Sequence, residues 1–206
     1  MNNRLAMVLS VVFHPLLLPS YLFALILYFL PAEAVTLPMP ARRLVLLLVF
    51  ITTFLLPSFG TFLLQKAGVV TTFTLDARVD RRWPLLMAAI CFTMTSAVFY
   101  RQPYFDRIFF LVMGVITATV YATLVINQFW KISAHSIGLG GSLGILLLLH
   151  SWLPEPILVF PIVAFIVISG AVMTARLSLG AHSTKQIYVG FALGLLVGIS
   201  LWGLPF

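Results

Sequence analysis

Two histidines in this chain stand beside serine where a polar stretch gives way to a long apolar run. They are His135 in "WKISAHS" (130–136) and His182 in "ARLSLGAHSTKQ" (175–186). The first stretch adds Lys131, the second Arg176 and Lys185, and neither holds a carboxylate. A third polar stretch, "LDARVDRRWP" (75–84), brings Arg81 and Arg82. Cations beside helix starts call for an anion, because a helix N-terminus carries unpaired N–H groups and partial positive charge. A metal site would usually recruit Asp or Glu, and a two-His zinc site has no further ligands here. A phosphate fits better. Phosphoryl transfer needs positive groups around three equatorial oxygens, an in-line nucleophile and an acid for the leaving oxygen. One histidine can attack phosphorus while a second protonates the departing alkoxide.

The elements that must position these groups are membrane helices. Charged residues make up 8% of the chain and hydrophobic ones 62%, against roughly 25% charged in a soluble domain. The mean hydropathy is +1.13. The apolar runs are longer than the roughly 10-residue strands of a membrane barrel. The expected fold is therefore all-α: a polytopic membrane bundle of six or seven transmembrane helices, one integral membrane domain over residues 1–206. Segments are expected at about 7–30, 43–64, 84–100, 106–128, 136–152, 156–175 and 187–204. Pro31, Pro38, Pro40, Pro84, Pro103, Pro154 and Pro156 fall at or near their ends, as helix stops and first-turn residues should. The N-terminus looks like a signal peptide, but its apolar region runs past the usual 7–15 residues. His14, Pro15 and Pro19 interrupt it, so a retained, broken first segment is expected. The net charge of +7 is scattered between apolar spans. That excludes a nucleic-acid partner and suits the headgroups of the bilayer, or a lipid phosphate.

Seven crossings would put the N-terminus and the loops near 65–83, 128–136 and 176–186 on one face. Eight of the twelve Lys/Arg lie there, Arg4 included, with His135 and His182. The positive-inside rule would make that face cytoplasmic. Without the site cations Arg81, Arg82, Lys131 and Arg176, the two faces carry four each and the rule favours neither. Asp76 and Asp80 sit among arginines and are expected to pair with them. Lys66, Arg78 and Lys185 read as headgroup anchors, and Arg42, Arg43, Arg101 and Arg107 as topology charges on the far face. His150 falls on that far face too, away from any chemistry. His14 lies on the candidate face and could line the substrate's access route. Cys91 reads as a small hydrophobe. Gly190, Gly194 and Gly198 recur every four residues on the last segment, and Gly140 and Gly144 do so on the fifth. Such stripes let helices approach closely. The run "GLGGSLG" lacks the preceding strand and the Lys-Ser/Thr ending of a nucleotide loop.

Taken together, the three polar stretches resemble the three-part signature of the type-2 phosphatidic acid phosphatase superfamily, which also includes vanadium haloperoxidases. The family's third motif is Ser-Arg, five residues, His, three residues, Asp. Here Arg176, His182 and Gln186 have that spacing, with Ala175 in place of Ser. Its second motif, Pro-Ser-Gly-His, is matched by Ile132, Ser133, Ala134 and His135. Its first, Lys, six residues, Arg-Pro, is reduced to Arg81-Arg82-Trp83-Pro84 without the Lys. The resemblance spans about residues 75–190, and the phosphatase-like core would run over about 75–204.

The resemblance implies that His182 is the nucleophile that forms a phosphohistidine and His135 the general acid. It implies that Arg176 and Arg82 (or Arg81) bind phosphate oxygens and that Ser133 donates to the phosphate. Gln186 stands where the family has an Asp that holds the nucleophilic ring by its other nitrogen. A Gln carbonyl oxygen can accept that bond, but it carries no charge. Lys131, four residues before His135, is expected from charge need to replace the missing first-motif Lys. The implied activity is metal- and cofactor-independent hydrolysis of a lipid phosphate or diphosphate, such as polyprenyl diphosphate, phosphatidylglycerol phosphate, phosphatidic acid or the lipid A phosphates. The implied location is a bacterial inner membrane, with the site facing the periplasm. The rival from another class is a non-catalytic lipid-phosphate binder or transporter on the same fold, favoured by the missing Lys, Ala134 for Gly and Gln186 for Asp.

Overall fold

The computed structural model describes residues 1–72, 75 and 77–201, so Asp76 and the end of the last expected segment lie outside the described residues. Every regular element among the described residues is helical. Five spans are long and apolar enough to cross a membrane: Met39–Lys66, Val79–Arg101, Arg107–Asn127, Ala134–Trp152 and Val159–Ser178. They correspond to the middle five of the seven expected segments. The first segment is broken, at the place its polar and proline residues predict, into α1 (Asn3–Val12) and α2 (Leu18–Phe29). The last, α9 (Thr184–Gly198), has 15 residues. These three apolar helices are shorter than a full crossing of about 20 residues.

The chain divides into two compact units, Met1–Leu18 with the residues from Ile132 onward, and Pro19–Lys131. The first unit contains α1, α7 (Ala134–Trp152), α8 (Val159–Ser178) and α9. Here α7 and α9 run side by side in the same direction, joined at their glycines. A Cβ added at Gly190 would lie 3.2 Å from the Ser133 carbonyl oxygen; at Gly194 it would run into the Ile137 carbonyl, and at Gly198 it would lie 2.7 Å from Gly144 Cα. Gly140 abuts the Phe191 carbonyl in the same way. The two glycine stripes expected from the sequence therefore face each other, backbone against backbone. This brings the N-terminal ends of α7 and α9 together, with the Ser133 N–H donating to the Gln186 carbonyl at 3.4 Å.

The second unit is built from α2, α3 (Met39–Phe50), α4 (Leu56–Lys66), α5 (Arg82–Arg101) and α6 (Arg107–Asn127). A π-helical turn, Ile51–Leu55, joins α3 to α4. Pro57 follows it, and a proline ring clashes with the carbonyl four residues earlier in a regular helix; the wider turn relieves that clash. The core is aromatic. The Phe23 ring stacks on Phe99 at 5.5 Å, Phe99 meets Phe105 edge-on at 5.0 Å, and Phe109 lies 5.8 Å from Phe99. Loops are locked by charged side chains. Arg42 donates to the carbonyls of Leu27, Val35 and Leu37 at 2.5–2.9 Å. Asp106 accepts from the Thr36 N–H (3.0 Å) and hydroxyl (2.7 Å). Arg42, expected only as a topology charge, is thus also a structural clamp.

Candidate functional site

The stretch 175–186 folds as two helix ends placed back to back. Helix α8 stops in a Schellman turn: Gly180 takes φ +63°, its N–H donates to the Leu177 carbonyl (2.9 Å), and the Ala181 N–H reaches back to the Arg176 carbonyl (3.2 Å). Only glycine adopts that backbone without strain. Two residues later Ser183 caps α9, its Oγ accepting from the Gln186 N–H (3.4 Å), while Gln186 Oε1 accepts from the Ser183 N–H (3.1 Å). This is a reciprocal capping box. The five-residue gap between Arg176 and His182 is therefore the length of the turn. The three-residue gap between His182 and Gln186 is set by the box.

His182 is buried, at 7% exposure. Its Nδ1 lies 3.1 Å from Gln186 Oε1. An amide oxygen only accepts, so Nδ1 carries the proton and Nε2 is the nitrogen with a lone pair. One amide oxygen thus serves both the helix cap and the ring. The orientation expected of Gln186 is present, without the charge an Asp would bring.

Ser133 caps α7. It is fully buried, and its Oγ accepts from the Ser136 N–H (3.3 Å) and sits 3.0 Å from the Ser136 hydroxyl. With its N–H given to Gln186, Ser133 acts here as a strut between two helix starts. His135, in the first turn of α7, places Nε2 2.9 Å from the Ser10 carbonyl oxygen. Arg176, in the last turn of α8, reaches the Ser10 hydroxyl at 3.2 Å. His14 stands edge-on to His135, ring centroids 5.8 Å apart, and its Nδ1 accepts from the Leu16 N–H (3.3 Å). Arg176, His14 and His182 all lie within electrostatic range of His135. Ser133, His135, Arg176, His182 and Gln186 thus belong to one unit, at its joined helix ends, with Ser10 and His14 added from α1 and the turn after it. His150 sits in the last turn of α7, at the opposite end of that helix from His135. Lys185 is exposed, as an anchor should be.

Arg81, Arg82 and Lys131 belong to the second unit. Arg81 is buried, with Nε donating to the Leu75 carbonyl at 2.7 Å. Arg82 is exposed and its guanidinium lies 5.7 Å from the centre of the Trp83 ring. Asp80, expected to pair with arginine, accepts from the Thr71 N–H (3.3 Å) and hydroxyl. Arg78, expected as a headgroup anchor, instead donates to the carbonyls of Asn127 and Gln128 at the end of α6, and Asn127 Nδ2 returns a bond to the Arg78 carbonyl (3.1 Å). A cation at a helix C-terminus complements its partial negative charge. Among the described residues, no three His, Cys, Asp or Glu side chains are grouped so as to hold a metal ion.

Ser10 has no signal of its own in the sequence; it is one serine in an apolar helix. The capping box was there to read, as Ser183 followed three residues later by Gln186. No family model, no curated protein and no solved structure matches this chain.

Proposed function

We propose that this is an integral membrane phosphatase that hydrolyses a lipid phosphate or diphosphate through a phosphohistidine. The observation that carries the reading is the pairing of His182 and Gln186 in the same unit as Arg176 and His135. His182 Nδ1 is held by an amide oxygen, which leaves the lone pair on Nε2 as the nucleophile. Two helix N-termini meet beside it, and their partial positive charge suits a phosphoryl group.

In the proposed reaction His182 Nε2 attacks phosphorus in line. The bond from phosphorus to the lipid oxygen breaks, and His135, entering the step as the imidazolium with its Nε2–H on the Ser10 carbonyl, gives that oxygen its Nδ1 proton. Water then attacks the phosphohistidine, His135 takes a proton from it, and the P–N bond breaks to release phosphate and restore His182. Arg176 balances charge on the equatorial oxygens. Arg81, Arg82 and Lys131 are carried forward as phosphate-binding cations on chemical grounds alone, and so is any donation from Ser133. The reaction invokes no metal or cofactor. Substrate would arrive laterally from the bilayer, in a chain crossing it six or seven times with the site toward the periplasm. Polyprenyl diphosphate, phosphatidylglycerol phosphate and phosphatidic acid are the candidate substrates.

Phosphate release from these lipids by the purified protein, beside His182→Ala, tests the reading. Activity that disappears in His182→Ala supports it; equal rates remove it in favour of a lipid-phosphate binder or transporter. Lys131→Ala should abolish phosphate release while leaving the helical content unchanged. Unaltered release would take Lys131 out of the site.

A further inference from the structure

We propose that Ser10 is a positioning residue of this site, holding His135 through its carbonyl and Arg176 through its hydroxyl. The proposal rests on the phosphatase reading for its catalytic meaning but not for its geometry. Ser10 lies in the last turn of α1, 4% exposed. Its two oxygens meet the working groups of two different helices, the His135 ring at 2.9 Å and the Arg176 guanidinium at 3.2 Å.

The direction of each bond follows from which group can donate. A carbonyl oxygen only accepts, so His135 Nε2 carries a proton. A guanidinium only donates, so Ser10 Oγ accepts from Arg176. The hydroxyl proton then goes to the Ala6 carbonyl, 2.9 Å away. Each link polarises the next, from Arg176 through Ser10 to the backbone of α1.

The two histidines are therefore supported alike but through opposite nitrogens. An uncharged amide oxygen holds His182 at Nδ1 and another holds His135 at Nε2. His182 is left to react through Nε2 and His135 through Nδ1. The His14 ring, edge-on at 5.8 Å, limits rotation of His135 away from that setting. None of the three polar stretches contains this support, so the first, broken segment is part of the site.

The test has a binding arm and a spectroscopic arm. Ser10→Ala removes the hydroxyl under Arg176, and Ser10→Thr keeps it. Ser10→Ala is expected to raise KM for the lipid phosphate about tenfold, the scale of one charge-assisted hydrogen bond, with Ser10→Thr close to the native protein. The carbonyl is reached by replacing Val11 with its α-hydroxy acid, which turns the Ser10 carbonyl into an ester and a weaker acceptor. Ring ¹⁵N NMR of histidine-labelled protein, with the His135 signals identified by His135→Gln, should then show His135 losing its Nε2–H preference. The same replacement at Val12 should leave His135 as it was. An unchanged His135 tautomer in the Val11 ester, or Ser10→Ala and Ser10→Thr with the same KM, overturns the proposal. The NMR readout needs no turnover. If even the native protein releases no phosphate, the phosphatase reading fails while the positioning of His135 is still decided.

Discussion

Internally, the two units are packed in opposite ways. In the first, α7 and α9 touch through glycine, so that the backbone of one helix lies against the backbone of the other. In the second, helices are kept apart by Phe23, Phe99, Phe105 and Phe109, and the loops are closed by Arg42, Arg78 and Asp106. Ring packing buries much area but tolerates repacking. Glycine contact offers little side-chain area and fixes the spacing of two helix axes, because no flexible group can give way. The histidines sit on the rigid pair, as a site needing sub-ångström placement requires.

Four substitutions would break or sharpen that contrast. The largest effect is expected at Phe109. Phe109→Ala should cost the second unit about 3–5 kcal/mol by leaving a cavity in the ring cluster, seen as a lowered Tm in detergent, with the His182 ring signals unmoved. Movement of those signals would mean that the ring cluster and the site are not separable. Gly194→Ala comes next. It drives a methyl into the Ile137 carbonyl, should cost about 1–3 kcal/mol, and should nevertheless abolish phosphate release while Phe109→Ala does not. Full activity in Gly194→Ala would end the claim that the glycine contact sets the site.

A third, smaller effect separates clamp from site. Arg78→Gln should destabilise by about 1.5 kcal/mol through loss of its bonds to the end of α6, with KM unchanged; a raised KM would return Arg78 to the substrate. The smallest effect tests the weak partner. Gln186→Glu keeps the capping box and places a charge on His182 Nδ1, which favours the cationic ring formed as Nε2 bonds to phosphorus. The rate should rise about threefold to tenfold, the scale of one added charge–hydrogen-bond difference. A slower enzyme would show that the neutral amide is suited to its role.

Much of the first unit could be read from the residues. The resemblance to the family's third motif grouped Arg176, His182 and Gln186, and the turn and capping box that join them are local, with signatures in Gly180 and in Ser183 with Gln186. The facing glycines were legible for the same reason: a four-residue repeat marks one side of a helix. The prolines and His14 marked the break between α1 and α2. What could not be read was which oxygen each cation meets. Arg42 and Arg78 look like boundary charges in a hydropathy scan, yet they grip carbonyls 5 to 50 positions away. Ser10 was invisible, since its partners lie 125 and 166 residues along the chain. The last expected segment ends outside the described residues, and its helix is regular from Thr184 to Gly198.

The separation of Ser10 from Arg176 has a consequence for how the protein is made. Ser10 leaves the ribosome early and Gln186 near the end, with the whole of the second unit translated between them. At about 5–20 residues per second the helix carrying Ser10 waits roughly ten seconds or more for its partners. A nascent chain stalled before the last turn of α8 holds neither Arg176, His182 nor the Ser183 cap. The joined helix ends that carry His135, Arg176 and His182 are thus completed only after the whole of the second unit has been made.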